Sequence, residues 1–433
     1  MADMAPADRV LLGAVRKGDT AAVKKILSEA EGGAAAKGKV PSRRIGSAAV
    51  ILAALRGHVG IVKILVERNV DLRAPASQLV RKFDKTLRTF PDGIQVATAA
   101  VIGGKLAALE IVLQAGADPN GVDVDHNNAL IAACFDSNEA RGMAMVHSLL
   151  KHGADPLLAN TQGWVAFHAA ARDGRIGLLS VLLQAAPTSL NLVDNSGLTP
   201  LGMATAFGRQ EGVRCLLAFG ASDRDLFQET CSSSLQIAVA TGNMHVLRIL
   251  LGQGLEAVGG LDAIPDALGC AVTKGKVDML NEILSVEGEA RRAFWARTRV
   301  SDDTTGRSML HFAAGFGTLN CVKALLLSGA SEAAADYNGQ LPRDIIATIY
   351  PDDAPPAEKN PKNEASISRA LQQGPAFRAR SWAWPMGATA ASSGCVSAMI
   401  CSSRSTRPRL GVLVTRPASQ WVYVTRFGRY AEK

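Results

Sequence analysis

Large flat side chains are scarce in this chain. Aromatic residues make up 5% of its 433 residues, whereas glycine occupies 41 positions and hydrophobic residues account for 48%. Such a composition argues against a β-sandwich core and for helices packed through small residues. The body also lacks a charge of one sign. The chain carries +8 overall, but residues 374–433 hold nine Lys or Arg against Glu432 alone, and the other 373 residues hold 38 basic and 38 acidic side chains. The basic isoelectric point therefore belongs to one tail and says nothing of what the body binds. A disulfide framework is missing too: the cysteines at 134, 215, 231, 270, 321, 395 and 401 are odd in number and scattered, the usage of reduced thiols.

No long apolar run is present. The most apolar stretch, residues 45–66, is interrupted by Arg56, His58 and Lys63, which argues against a membrane span. Residues 1–10 have no apolar centre of the kind a signal peptide requires. These readings place the chain in the cytoplasm, with the nucleus as the alternative. Catalytic patterns are absent as well: there is no phosphate-binding glycine loop, zinc-protease helix or nucleophile elbow. Cys395 and Cys401, with five residues between them, lack a second ligand pair for zinc. The expectation is a chain with no catalysis, no cofactor and no metal.

What the sequence does have is a repeat. An alanine recurs at 14, 53, 99, 133, 170, 204, 238, 271 and 313, at intervals of 33 to 46 residues. Three residues before each stands a large apolar residue (Leu11, Val50, Val96, Leu130, Phe167, Leu201, Leu235, Leu268, Leu310). Four residues after each stands a glycine, except at Ser137. Each unit reads as two short helices. In the sixth, Thr199-Pro200 starts a helix, Leu201 and Ala204 share one face, Gly208 ends it, and Val213, Leu216 and Leu217 mark a second helix. Such a pair cannot bury its apolar face alone, so neighbours must stack, and alanine at the recurring position lets their backbones approach.

The chain resembles the ankyrin repeat family over residues 8–350. The matching pieces are Thr199-Pro200-Leu201, Leu310-His311-Phe312-Ala313-Ala314, Gly116-Ala117-Asp118-Pro119-Asn120, Gly57-His58 followed by residues 61–65, and Gly153-Ala154-Asp155. The Thr-Pro pair is intact in one unit only, and histidine stands at its family position only at 168 and 311. The resemblance implies an all-α solenoid of about nine helix-turn-helix units, with hairpin-like fingers between units and a concave binding face built from fingers and first helices. It also implies that His168 and His311 are structural, bonding backbone between neighbouring units.

The domain reading is an extension at 1–7, the ankyrin array at 8–350, a linker and short helix at 351–373, and a basic, disordered tail at 374–433. Residues 338–342 open a tenth unit that reads as an incomplete C-terminal cap. Binding residues are sought where the period breaks and where aromatics stand in exposed positions. The longest interval holds Arg73, Arg81, Lys82, Lys85 and Arg88, and the next holds Arg291, Arg292, Arg297 and Arg299 around Phe294 and Trp295. Trp164 in a finger, and Phe207 and Phe316 just before their terminal glycines, are expected to face the groove as anchors. Arg172, near the end of a first helix, completes the candidate partner-binding set of Trp164, Arg172, Phe207, Phe316, Arg291, Arg292, Trp295, Arg297, Arg81 and Lys82. The function expected is non-catalytic protein binding by a monomeric adaptor or scaffold. A regulatory or targeting subunit of an enzyme complex, such as a ubiquitin ligase or phosphatase, is the first alternative. A nucleic-acid-associated protein using the basic tail is the second and less favoured one.

Overall fold

The recurring alanines are buried: Ala53, Ala133, Ala170, Ala204, Ala238, Ala271 and Ala313 have no exposed surface, and Ala14 has little. In a computed structural model of the chain they sit in the first helix of successive helix pairs. The structure describes residues 6–31, 43–75, 92–223, 233–253, 255–286, 305–316, 318–349 and 361–372. The fold is an all-α repeat solenoid, with no strand among the described residues. Contacts group it into two units, one of residues up to Pro200 and one from Leu201 onward.

The first unit holds five pairs: α1 (Pro6–Lys17) with α2 (Thr20–Glu31), α3 (Arg43–Leu55) with α4 (Val59–Glu67), α5 (Val96–Ile102) with α6 (Leu106–Gln114), α7 (Ala129–Cys134) with α8 (Glu139–Lys151), and α9 (Ala166–Asp173) with α10 (Ile176–Ala185). First helices pack on first helices and second on second through the whole series. Each pair thereby shares one apolar layer with the next, the nearest-neighbour burial that a helix pair of this size needs. Asn128 and Asn138 cap α7 and α8, accepting the Ile131 and Arg141 backbone N–H groups at 2.9 Å.

The second unit opens with α11 (Pro200–Ala206) and α12 (Gln210–Ala218), followed by α13 (Ser234–Thr241) with α14 (Met244–Gln253), α15 (Ile264–Thr273) with α16 (Val277–Leu284), α17 (Met309–Gly315) with α18 (Leu319–Leu327), and α19 (Pro342–Ile349) with α20 (Pro361–Gln372). The helix at the C-terminal end differs from a bare linker helix. It packs on both α18 and α19 and buries Ile367, Ala370 and Leu371, so it supplies the second helix of the tenth pair. The Pro- and acid-rich stretch before it breaks the spacing that marks the other pairs.

Two irregularities in the repeat have local causes. In the second pair Gly57 is left-handed, and its N–H donates to Ala54. In the third pair it is Gly104, not Gly103, that is left-handed, and its N–H donates to Val101. The repeated alanine there is Ala100 rather than Ala99. Gly103 has an ordinary helical φ of −65° and is required for space, since a Cβ would overlap the Ala54 carbonyl oxygen. In the fourth pair, where serine replaces the glycine, the turn is held by side chains. Asp136 accepts the Asn138 N–H and grips Arg141 through two bonds of 2.6 Å. That fork holds the Arg141 guanidinium above its ordinary pKa.

Candidate functional site

Four fingertips share one hydrogen-bond scheme, opened by Asp123, Asn160, Asp194 and Asp336. In each, the side-chain Oδ1 accepts the N–H groups two and four residues on, at 2.8–2.9 Å. The opening residue's own N–H donates to the carbonyl of the fifth. The fourth residue is left-handed: Gly163, Gly197 and Gly339 at φ 76–79°, and His126 at 58°. Only His126 there carries a Cβ against the following carbonyl. The second residue of each loop donates its N–H to the finger before it, as in Val124 to Asp92, Thr161 to Asp125, Asn195 to Gln162, and Tyr337 to Thr305.

Side chains tie the same fingers together. Asn160 Nδ2 donates to Asn127 Oδ1 at 3.0 Å, Trp164 Nε1 donates to Asp194 Oδ2 at 2.9 Å, and Arg307 Nε lies 3.6 Å from Asp336 Oδ2. The first two pairs join the fifth residue of one fingertip to the first of the next. This corrects the expectation for Trp164, which is 4% exposed and not an open anchor. Its indole N–H finds a carboxylate in the neighbouring finger, and the ring is covered there. Arg172 is also buried rather than free. Its guanidinium carbon lies 5.5 Å over the Phe135 ring, and Nη1 is 3.5 Å from Asp173.

His168 and His311 bridge within and between repeats. Nδ1 accepts the N–H of Val165 or Ser308, and Nε2 donates to Leu192 and Leu198 or to Gln340, at 3.0–3.3 Å. Burial lowers the His168 pKa, outweighing Asp194 and the two carbonyls, which raise it. Cys134, fully buried at the end of α7, has its thiol pushed well up by burial and is held as an inert apolar group.

The other candidates separate by place. Phe316 is 51% exposed and stacks on Phe312, with ring centroids 6.3 Å apart and planes 20° apart. Phe207 is half-buried, and Arg73 is exposed beside Asp71. Arg81, Lys82, Arg291, Arg292, Trp295 and Arg297 lie outside the described residues, as do Lys85, Arg88, Phe294, Arg299 and the whole of 374–433. Among the described residues, no group of three or more His, Cys, Asp or Glu side chains could hold a metal ion. Sequence reasoning missed the fingertip acids. The recurring Asp-x-x-Gly or Asn-x-x-Gly at 160, 194 and 336 is the signal that could have found them.

A family model for ankyrin repeats, in three copies, matches residues 139–226. Ankyrin repeat protein nuc-2 of Neurospora crassa is 26% identical over 300 residues, covering 68% of this chain and 26% of its own length. Protein lin-12 of Caenorhabditis elegans is 28% identical over 153 residues, 33% of this chain and 10% of that protein. Ankyrin repeat and KH domain-containing protein mask-1, also from C. elegans, is 27% identical over 213 residues, 39% of this chain and 8% of that protein. The chain thus spans about a quarter or less of the length of these relatives. Repeated helix pairs, stacked fingers and bridging histidines define a solenoid repeat protein. The chain carries ankyrin repeats. No helix among the described residues is long and apolar enough to cross a membrane.

Proposed function

We propose that the chain is a non-catalytic adaptor or scaffold that engages a partner protein through its fingers and first helices, in the cytoplasm or nucleus. The observation that carries this reading is Phe316. It is a large aromatic side chain, half exposed at the end of a first helix. An exposed ring of that size on a rigid surface is the kind of residue from which interfaces draw most of their energy. The layered helix pairs support the reading from the other side, because a preformed surface loses little ordering entropy on binding.

The test is position-specific photo-crosslinking in cells. A benzophenone side chain at position 316 should give defined crosslinked proteins, and one at Lys151, exposed on a second helix, should give none. Equal yields at the two positions, or no crosslink at 316, would overturn the proposal.

A further inference from the structure

Phe207, Thr241, Lys274 and Phe316 occupy the same register position at the ends of four successive first helices of the second unit, each directly before a glycine in the sequence. For three of them the backbone confirms the register: Phe207 N–H donates to Met203, Lys274 to Cys270 and Phe316 to Phe312, the same four-residue step. The helices carrying Lys274 and Phe316, α15 and α17, pack directly on one another. At the α17 end stands the stacked Phe312–Phe316 pair with its outer ring half exposed. At the α15 end stand Lys274 and, two residues on, Lys276. Both ammonium groups bear on the Cys270 thiol, which burial pushes up and they pull down. Neither lysine has a carboxylate partner among the described residues. An unpaired cation thus lies one helix away from an uncovered aromatic pair.

We propose that this face of the second unit receives a segment of another protein in the polyproline-II conformation, in which an acidic residue and a large apolar residue stand three positions apart. The acid pairs with Lys274 and the apolar side chain covers Phe316. The spacing follows from geometry. Packed helix axes are about 8–10 Å apart, and a polyproline-II chain, with three residues per turn and a rise of about 3.1 Å, brings every third side chain to the same side about 9 Å further on. An amphipathic helix fits less well, because it needs a continuous apolar stripe, and Thr241, Thr273 and Lys274 interrupt this one. The inference rests on the binding face proposed above and specifies the chemistry of its occupant.

Selection of a random dodecapeptide phage library on the immobilised full-length chain tests it. Enriched sequences should carry Asp or Glu three positions from Phe, Leu, Ile, Met or Trp. A labelled peptide of the selected sequence should bind Phe316→Ser and Lys274→Glu at least tenfold more weakly, with unchanged melting curves. Replacing the peptide's acid by Lys should restore binding to Lys274→Glu, a gain that damage to the fold cannot mimic. Enrichment without an acid, a preferred spacing other than three, full binding by both variants, or no enrichment would each overturn the inference. If crosslinking at 316 succeeds while the selected peptides lack an acid, only this inference falls. If crosslinking also fails, the binding face falls with it.

Discussion

At the scale of single residues, polar side chains that bridge repeats matter as much as the apolar core. Trp164 shows why an aromatic in a finger need not be a contact for a partner: its N–H has a carboxylate 2.9 Å away in the next fingertip. His168 is the clearest case with a measurable consequence. Its neutral ring accepts at Nδ1 from Val165 and donates at Nε2 to two carbonyls, so a proton added at Nδ1 would face a backbone N–H. Burial lowers its pKa in the folded chain below the unfolded value, near 6.5. With that sign, the unfolded chain binds the extra proton first. The stability that His168 contributes is complete above about pH 6.5 and is lost as the pH falls through that value toward the lowered one. Melting temperatures of the wild type and His168→Gln, compared from pH 8 to 5, should differ most at pH 8 and converge as the pH falls. A constant difference across that range would show that the ring is not titrating.

At the scale of elements, the array closes with a helix pair whose halves are far apart in sequence. Ile367 is 1% exposed in α20, seated against α18 and α19. Truncating a buried isoleucine costs about 2–5 kcal/mol. Ile367→Ala should therefore lower the urea midpoint of the full chain, whereas a free-standing linker helix would leave it unchanged. This helix also marks what could be read in advance. The pairs whose first helices end at Gly57, Gly174, Gly208, Gly242 and Gly275 are legible because apolar residue, alanine and glycine recur within eight residues, a local pattern fixed by one helix. The tenth pair is not, since its second helix follows an interruption of variable composition. The fingertip bonds are illegible for another reason: Trp164 and Asp194 lie 30 residues apart, and only stacking makes them neighbours. The third pair misleads by one residue because Gly103 and Gly104 stand together, one needed for space and the other for its left-handed backbone. Of the candidate binding residues, Phe316 stands exposed, whereas Trp164 and Arg172 are occupied by contacts inside the fold that no local pattern announces.

At the scale of the whole molecule, the bonds between fingers join immediate neighbours, so stability is a sum of units and of the interfaces between successive units. Duplicating residues 161–194 in frame is the sharpest test. Asn160 would still meet Asn127, and each copy of Trp164 would meet the copy of Asp194 that closes its own unit, so every junction keeps a donor facing an acceptor. The lengthened chain should fold with the same helicity per residue and an undiminished melting temperature. Circular dichroism measures both, and a loss of cooperative melting would show that longer-range contacts matter. Not every splice is equivalent. A unit ending in Arg307 placed ahead of Asn160 would turn a guanidinium toward an amide instead of the carboxylate it has at Asp336. The fingertip pairs therefore act as a compatibility rule in descent. A lineage can gain or lose copies by unequal exchange where the new junction still sets a donor against an acceptor, and the Arg307–Asp336 junction is a point at which copy number should resist change.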